Sequence, residues 1–213
     1  MTGGAAFGGL AALSTVIFPA NIQPPFPILP FLRFDPAELF SVMAFLIFGP
    51  VAGVIAATSH WIFLTATGTN GPLGPAAKFA SVMSTLFGLW LGGRIYQRLE
   101  GRIFSILGLM LVCAATARVT IMVVVNYFIF TYIGPILFGL DYLGFSQKVL
   151  QLTLHVDYGG SLLVTAVLFF TSIFNLLHTA FSVLVPYLIF TPLTLKVPQI
   201  ASGRPWISRF SSH

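Results

Sequence analysis

The chain has 213 residues, 57% of them hydrophobic and 7% charged, with a mean hydropathy of +0.95 and a formal charge of +5. A soluble domain of this length cannot present so little polarity to water, so the composition excludes one and indicates an integral membrane protein. The apolar runs are long and carry 22 Phe, without the every-second-residue alternation of a transmembrane barrel, so an all-α fold is expected.

The positive charge does not point to nucleic acid. The basic residues sit between apolar segments and at their flanks, where a membrane protein's topology explains them. MTGGAAFGGLAAL at the start has no basic n-region and is not read as a cleaved signal peptide. The single Cys excludes an internal disulfide, and Cys113, with no His near it in sequence, reads as a small packing residue.

In chain order, a first helix is expected over 3–18. Gly4, Gly8 and Ala12 recur every fourth residue on it, with Ala5 and Gly9 on the neighbouring line, so two backbones can approach closely. Packing within the chain and docking on a partner protein both fit that face. The outer loop 19–36 follows. Pro24, Pro25, Pro27 and Pro30 stiffen it and withhold amide donors, while Phe26, Phe31 and Phe34 give it an apolar underside, so it is either buried or a lid. Asp35-Pro36-Ala37-Glu38 has the order of a helix start, with Asp as N-cap, Pro in the first helical position and Glu in the third.

Helices over 37–48 and 51–66 are each short for a crossing, which needs about 20 residues. Gly49-Pro50 between them favours a hairpin over one kinked helix, because Gly ends helices and Pro begins them. A polar turn over 67–75 leads to a helix over 76–96 with Lys78 near its start. Gly71, Gly74 and Lys78 have the composition of a phosphate loop but the wrong spacing, and Phe79 stands where Ser or Thr would hold magnesium. The chain therefore carries no ATPase motif of its own. A further helix over 103–130 holds Arg118 and ends near Asn126-Tyr127. Residues 131–157 are less apolar and read as a loop with room for an interfacial helix. A last helix over 158–190 contains Asn175 and His178, and a polar tail follows.

The whole is one membrane domain of about six helices. Arg94, Arg98 and Arg102 in one turn and Lys196, Arg204 and Arg209 in the tail share a side with the N-terminus, while Arg33 and Lys148 lie opposite. That imbalance puts both termini in the cytoplasm and the proline loop outside. Ionisable groups within a membrane cost about 2.5 to 3.5 kcal/mol each, so Lys78, Arg118, His60 and His178 need partners or a cavity. Asn175 and His178, at i and i+3, share a helix face, and Asn126 and Tyr127 lie toward the same outer side. Amides and an imidazole suit the edge of a neutral heteroaromatic ring and do not suit a metal. Interhelical hydrogen bonding is the competing account, and it is the preferred one for His60 and for Arg118, with backbone carbonyls or Asp157 satisfying the latter. His155 and Asp157 are too sparse for a metal site, and neither HExxH nor a close intramembrane carboxylate pair is present.

The run LRFDPAELFSVMAFLIFGPVAGVIAA resembles the signature of substrate-binding S components of energy-coupling factor (ECF) vitamin transporters. TGTNGPLGPAAKFAS, VVNYF at Val124 to Phe128 and FNLLHTAFSVLVPYLIF at Phe174 to Phe190 are similar to the riboflavin-binding branch of that family, in register along nearly the whole chain. The resemblance implies a six-helix subunit that binds riboflavin from outside beneath the loop between its first two helices. It implies no catalytic cofactor, and as partners a transmembrane coupling protein and two ATPase subunits. The family's docking face on the first helix corresponds to Gly4, Gly8 and Ala12. Asn126 and Asn175 match its ligand-contact positions, whereas His178 stands in place of Lys and Lys78 in place of Asn. The expected site is Phe31, Leu32, Lys78, Asn126, Tyr127, Asn175 and His178. The same scaffold for another vitamin or precursor, or a non-transporting membrane scaffold, are the alternatives.

Overall fold

A computed structural model describes residues 2–68, 71–99, 105–196 and 205–207, with the side chains of 190–196 outside the description. Part of the expected polar turn, Arg102, Arg204, Arg209 and most of the tail therefore lie outside the described residues, as does the side chain of Lys196. The regular elements among the described residues are helical. In order they are α1 (Thr2–Ile17), α2 (Ala37–Phe48), α3 (Pro50–Thr67), α4 (Gly74–Arg98), α5 (Ile106–Phe128), a π-helical turn (Ile129–Ile133), α6 (Gly134–Phe138), α7 (Tyr142–Leu154) and α8 (Gly160–Lys196).

Pro50–Thr67, Ile106–Phe138 and Gly160–Ile189 are long and apolar enough to cross a membrane, while Thr2–Ile17 and Ala37–Phe48 are shorter apolar helices. Large apolar side chains such as Ile136, Leu152 and Leu188 are left exposed on the outside of the bundle, as a lipid-facing surface requires. At 25 residues α4 is long enough to cross, but Lys78, Ser81 and Thr85 dilute its hydropathy. Those residues face the interior.

Gly49 takes φ +99° and ends α2, its amide still donating to the Phe45 carbonyl at 2.8 Å. Pro50 then opens α3, where a missing amide costs nothing. Gly53 meets Phe45 so closely that an added Cβ would lie 2.8 Å from the Phe45 Cβ, so α2 and α3 fold back on each other as a hairpin. Trp206 returns to this turn, its ring 4.9 Å from that of Phe45, and leaves no room for a side chain at Gly49.

Two glycine seams bring helices together. Gly4 and Gly8 pack on α3, where added Cβ atoms would fall 2.8 Å from the Ala52 carbonyl oxygen and 2.6 Å from the Ser59 Cβ. Of the two uses open to this face, packing within the chain is the one seen, with Gly4 and Gly8 buried and Ala12 half-buried, while Ala5 and Gly9 stay exposed. Gly88 and Gly92 make a second seam that was not anticipated: their Cβ atoms would sit 2.4 Å from Ala114 Cα and 2.6 Å from Met110 Cα on α5. Neither position tolerates bulk.

Most of the expected loop 131–157 is helical. Asp141 accepts from the Gly144 amide at 2.8 Å and starts α7, which buries Ser146 and Leu150 and ends at His155 with φ +56°. Only a narrow stripe of α7 is buried, and its exposed side mixes Lys148, Gln151 and Thr153 with Phe145 and Leu152, so the segment lacks the continuous apolar run of the other helices. Among the described residues two large apolar cores result, beside a small cluster of Ala44, Ala52 and Ala56. One gathers Val42, Phe45, Leu46, Leu86, Leu89, Met110, Ala114 and Val183; the other gathers Phe26, Leu29, Ile129, Phe130, Leu150, Val167 and Phe174. Along α2, α4, α5 and α8 buried polar residues stand at the boundary of the first core: Glu38, Ser81, Arg118, Asn175, His178, Thr179 and Ser182.

Candidate functional site

At that polar layer lies a cavity of about 490 Å³, lined by the loop 18–36, the first turn of α2, and α4, α5, the π-helical turn, α7 and α8. Its volume is in the range of small-molecule sites, about 300 to 1,000 Å³.

The roof is the proline loop. Phe26 donates its amide to the Leu32 carbonyl at 2.8 Å and Phe34 to the Pro24 carbonyl at 2.9 Å, so the loop closes on itself around an isolated bridge between Pro25 and Arg33. Pro24, Pro25, Pro27 and Pro30 have no amide to satisfy, which makes a non-helical segment tolerable over apolar surroundings. Leu29 is fully buried, Phe26 and Phe34 stack on Phe174 at 5.7 and 5.1 Å, and Phe31 packs against Phe130, Tyr142 and Phe145. Gln23 and Arg33 donate to the carbonyls of Phe18 and Ala20, tying the loop's entrance.

The floor is built on Arg118, which is 1% exposed. Its Nη1 donates to Glu38 Oε2 at 2.7 Å and its Nη2 to Glu38 Oε1 at 3.2 Å, a two-pronged ion pair between α5 and α2. Nε donates to Asn175 Oδ1 at 3.0 Å, Nη1 also reaches Thr85 Oγ1 at 3.3 Å, and Nη2 lies 3.2 Å from His178 Nδ1. Ser182 and Ser81 add hydroxyl donors to the Glu38 carboxylate at 3.2 and 3.4 Å. Removing one partner of such a buried pair costs about 3 to 5 kcal/mol, because it strands the other charge. The charges belong together.

A second ion pair stands beside the roof. Lys78 on α4 pairs with Asp35, whose other oxygen accepts from the Ala37 amide at 2.8 Å. Asp35 thus serves the start of α2 as expected, although Pro36 rather than Asp35 occupies the residue flanking the helix. Glu38, read as a capping residue, is instead the counter-ion of Arg118. Its own helix start leaves its side chain pointing inward, 3% exposed.

Of the expected site residues, Phe31, Leu32, Lys78, Asn126, Asn175 and His178 line the cavity. Tyr127 does not. It is 38% exposed and packs its ring against Phe128 and Tyr132, since one residue along α5 from Asn126 turns the side chain outward. Asn175 lines the cavity with an amide already engaged: Oδ1 accepts from Arg118, and Nδ2 donates to the Thr171 carbonyl at 3.0 Å. Arg118 is satisfied by Glu38, not by Asp157, which accepts from Gln147 at 3.0 Å. His60 takes up an interhelical hydrogen bond with Thr15 at 2.9 Å, away from the cavity.

Glu38, Asp35, Ser81 and Phe130 were missed as lining residues. A signal for Glu38 existed. An arginine in an apolar helix needs an acid at its own depth, and of the chain's five acids Glu38 is the one inside an apolar helix. Comparison with models of protein families, with curated proteins and with solved structures finds no match for this chain.

Proposed function

We propose that this chain is the substrate-binding subunit of an energy-coupling factor type transporter, taking riboflavin into the cavity beneath the proline loop. The observation that carries this reading is the cavity itself. It has an aromatic roof, a polar floor sunk among apolar helices, and lining residues drawn from the segments whose sequence resembles that family. In this reading the chain crosses the membrane with α1, α2, α3, α4, α5 and α8, both termini face the cytoplasm, and the roof faces outward.

The ligand's ring slides among Phe31, Leu32 and Phe130, while Asn126, His178 and Lys78 face its polar edge. A transmembrane coupling protein and two ATPase subunits supply the work of reorientation and release, which suits a chain without a phosphate loop. With Gly4 and Gly8 occupied by α3, docking falls to the exposed neighbouring line of Ala5, Gly9 and Leu13. Equilibrium titration of the purified protein with riboflavin, followed by quenching of flavin fluorescence, tests the reading against a panel of other vitamins. Saturable binding of riboflavin alone is expected.

A second reading keeps the scaffold and changes the vitamin. It draws support from Lys78, which is engaged with Asp35 and therefore less available to a flavin than a free amide would be. Saturable binding of a different vitamin in the same panel selects it, and binding of none, with partner association intact, selects a scaffold role.

A further inference from the structure

A second recess, of about 240 Å³, lies between α3 and the C-terminal half of α4 and shares no lining residue with the cavity. Its lining side chains are apolar. Phe45 and Leu86, both buried, form the base, Pro50 and Val54 one wall, and Met83, Phe87 and Trp90 the other. Val54 and Phe87 are exposed at the rim, as are Phe48 and Val51 nearby in the chain, so the recess belongs to the surface that the bundle turns toward lipid. Water has nothing to bond there, and hydrocarbon fills it.

One end of this groove is charged. Met83, Phe87, Trp90, Arg94 and Arg98 recur at helical spacing along α4, so the apolar wall and the two arginines form one stripe about 22 Å long. The Arg94 guanidinium carbon lies 5.6 Å from the centroid of the Trp90 ring, which holds the charge where the apolar lining stops. Arg94 and Arg98 are exposed, and neither makes an ion pair within the described residues. Four of the chain's five acids stand elsewhere, Asp35 and Glu38 at the cavity and Asp141 and Asp157 at α7. The fifth, Glu100, lies outside the described residues and is outnumbered in sequence by Arg94, Arg98 and Arg102.

We propose that the groove between α3 and α4 is a binding site for an anionic phospholipid, whose acyl chain lies along Val54 and Phe87 and whose phosphate is held by Arg94 and Arg98. Guanidinium forks donate to two phosphate oxygens at once. A zwitterionic lipid brings the same chain and phosphate but also its own cation, so discrimination falls to the net charge of the head. A transmembrane helix of another protein would fill the apolar slot and leave both arginines unanswered. The site needs only a chain that lies in a bilayer, and it stands whatever the cavity binds.

The test offers the purified full-length protein, in detergent, phosphatidylglycerol and phosphatidylcholine of identical chains at equal concentration, and counts bound lipid by native mass spectrometry. A basic residue beside an anionic lipid surface is a factor of about five, so the wild type is expected to retain phosphatidylglycerol about fivefold or more over phosphatidylcholine. Arg94→Gln combined with Arg98→Gln is expected to bring that ratio to about twofold or less. Val54→Trp, which fills the groove from an exposed position, is expected to lower retention of both lipids alike. Equal retention of the two lipids by the wild type, or a ratio unchanged in the arginine variant, overturns the proposal. Unchanged retention in Val54→Trp overturns it too, since the arginines then collect lipid without the groove. Retention of neither lipid overturns it in favour of a protein helix as the occupant. Melting temperatures are measured beside each variant, and the wild-type ratio alone decides should a variant fail to fold.

Discussion

The roof and the floor of the cavity are both immobilised, by opposite means. The roof, residues 18–36, is held by proline stiffness, aromatic stacking and a few backbone hydrogen bonds, and its groups end in rings and alkyl chains. The floor is held by an ion pair with five further side chains bonded to it, and nearly all its polar atoms are consumed in holding one another. Polar residues that line a cavity are therefore not all available to a ligand. In the floor they are chiefly architecture, and recognition falls to the polar atoms left over together with the rings of the roof.

The largest expected effect is on the floor. Glu38→Ala should lose about 3 to 5 kcal/mol of stability by stranding Arg118, read as a fall in the melting temperature in detergent. Replacing both members with apolar residues of similar size, Glu38→Leu with Arg118→Met, should regain much of it. If the single variant melts like the wild type, the floor is not the structural unit described. Next in size, Gly8→Leu forces bulk into the contact with Ser59 and should cost about 1 to 3 kcal/mol, whereas Gly9→Leu enters open space and should leave the melting temperature alone. In the transporter reading Gly9→Leu instead impairs association with the coupling protein, measured by co-purification.

Asn175→Ala should weaken riboflavin binding about tenfold, roughly 1.4 kcal/mol, and should lower the melting temperature as well, because the residue acts through Arg118. Phe31→Ala, in the roof, should give a similar loss of affinity with a smaller change in melting. The pair of measurements separates the two regions: affinity loss without stability loss belongs to the roof. The smallest effect is expected outside both. Tyr127→Phe should change stability by less than about 0.5 kcal/mol and leave binding as it was, and a clear loss of affinity would return that residue to the site.

Much of this arrangement was legible in residue order. The prolines of the loop, the Gly49-Pro50 turn and the apolar runs carry local instructions, and the helices fall close to where those instructions put them. Spacing along α8 likewise put Asn175 and His178 on one face. The errors are of another kind. Tyr127 and Asn126 are neighbours in sequence about 100° apart around α5, and which of them turns inward depends on the rotation of α5 against α4, locked by Gly88 and Gly92. Gly4 and Gly8 could meet either a partner or α3, and a small-residue spacing is the same in both cases.

The sequence by itself determined a helical chain made for an apolar solvent, broken at glycine and proline and interrupted by a stiff aromatic loop, because backbone preference and hydropathy act over a few residues at a time. Only the tertiary structure decided which charges pair. Arg118 and Glu38 are 80 residues apart in the chain and 2.7 Å apart in space, and no local pattern links them. Their pairing followed from the depth each reaches inside the bundle, where the cost of an uncompensated charge leaves a single partner in reach.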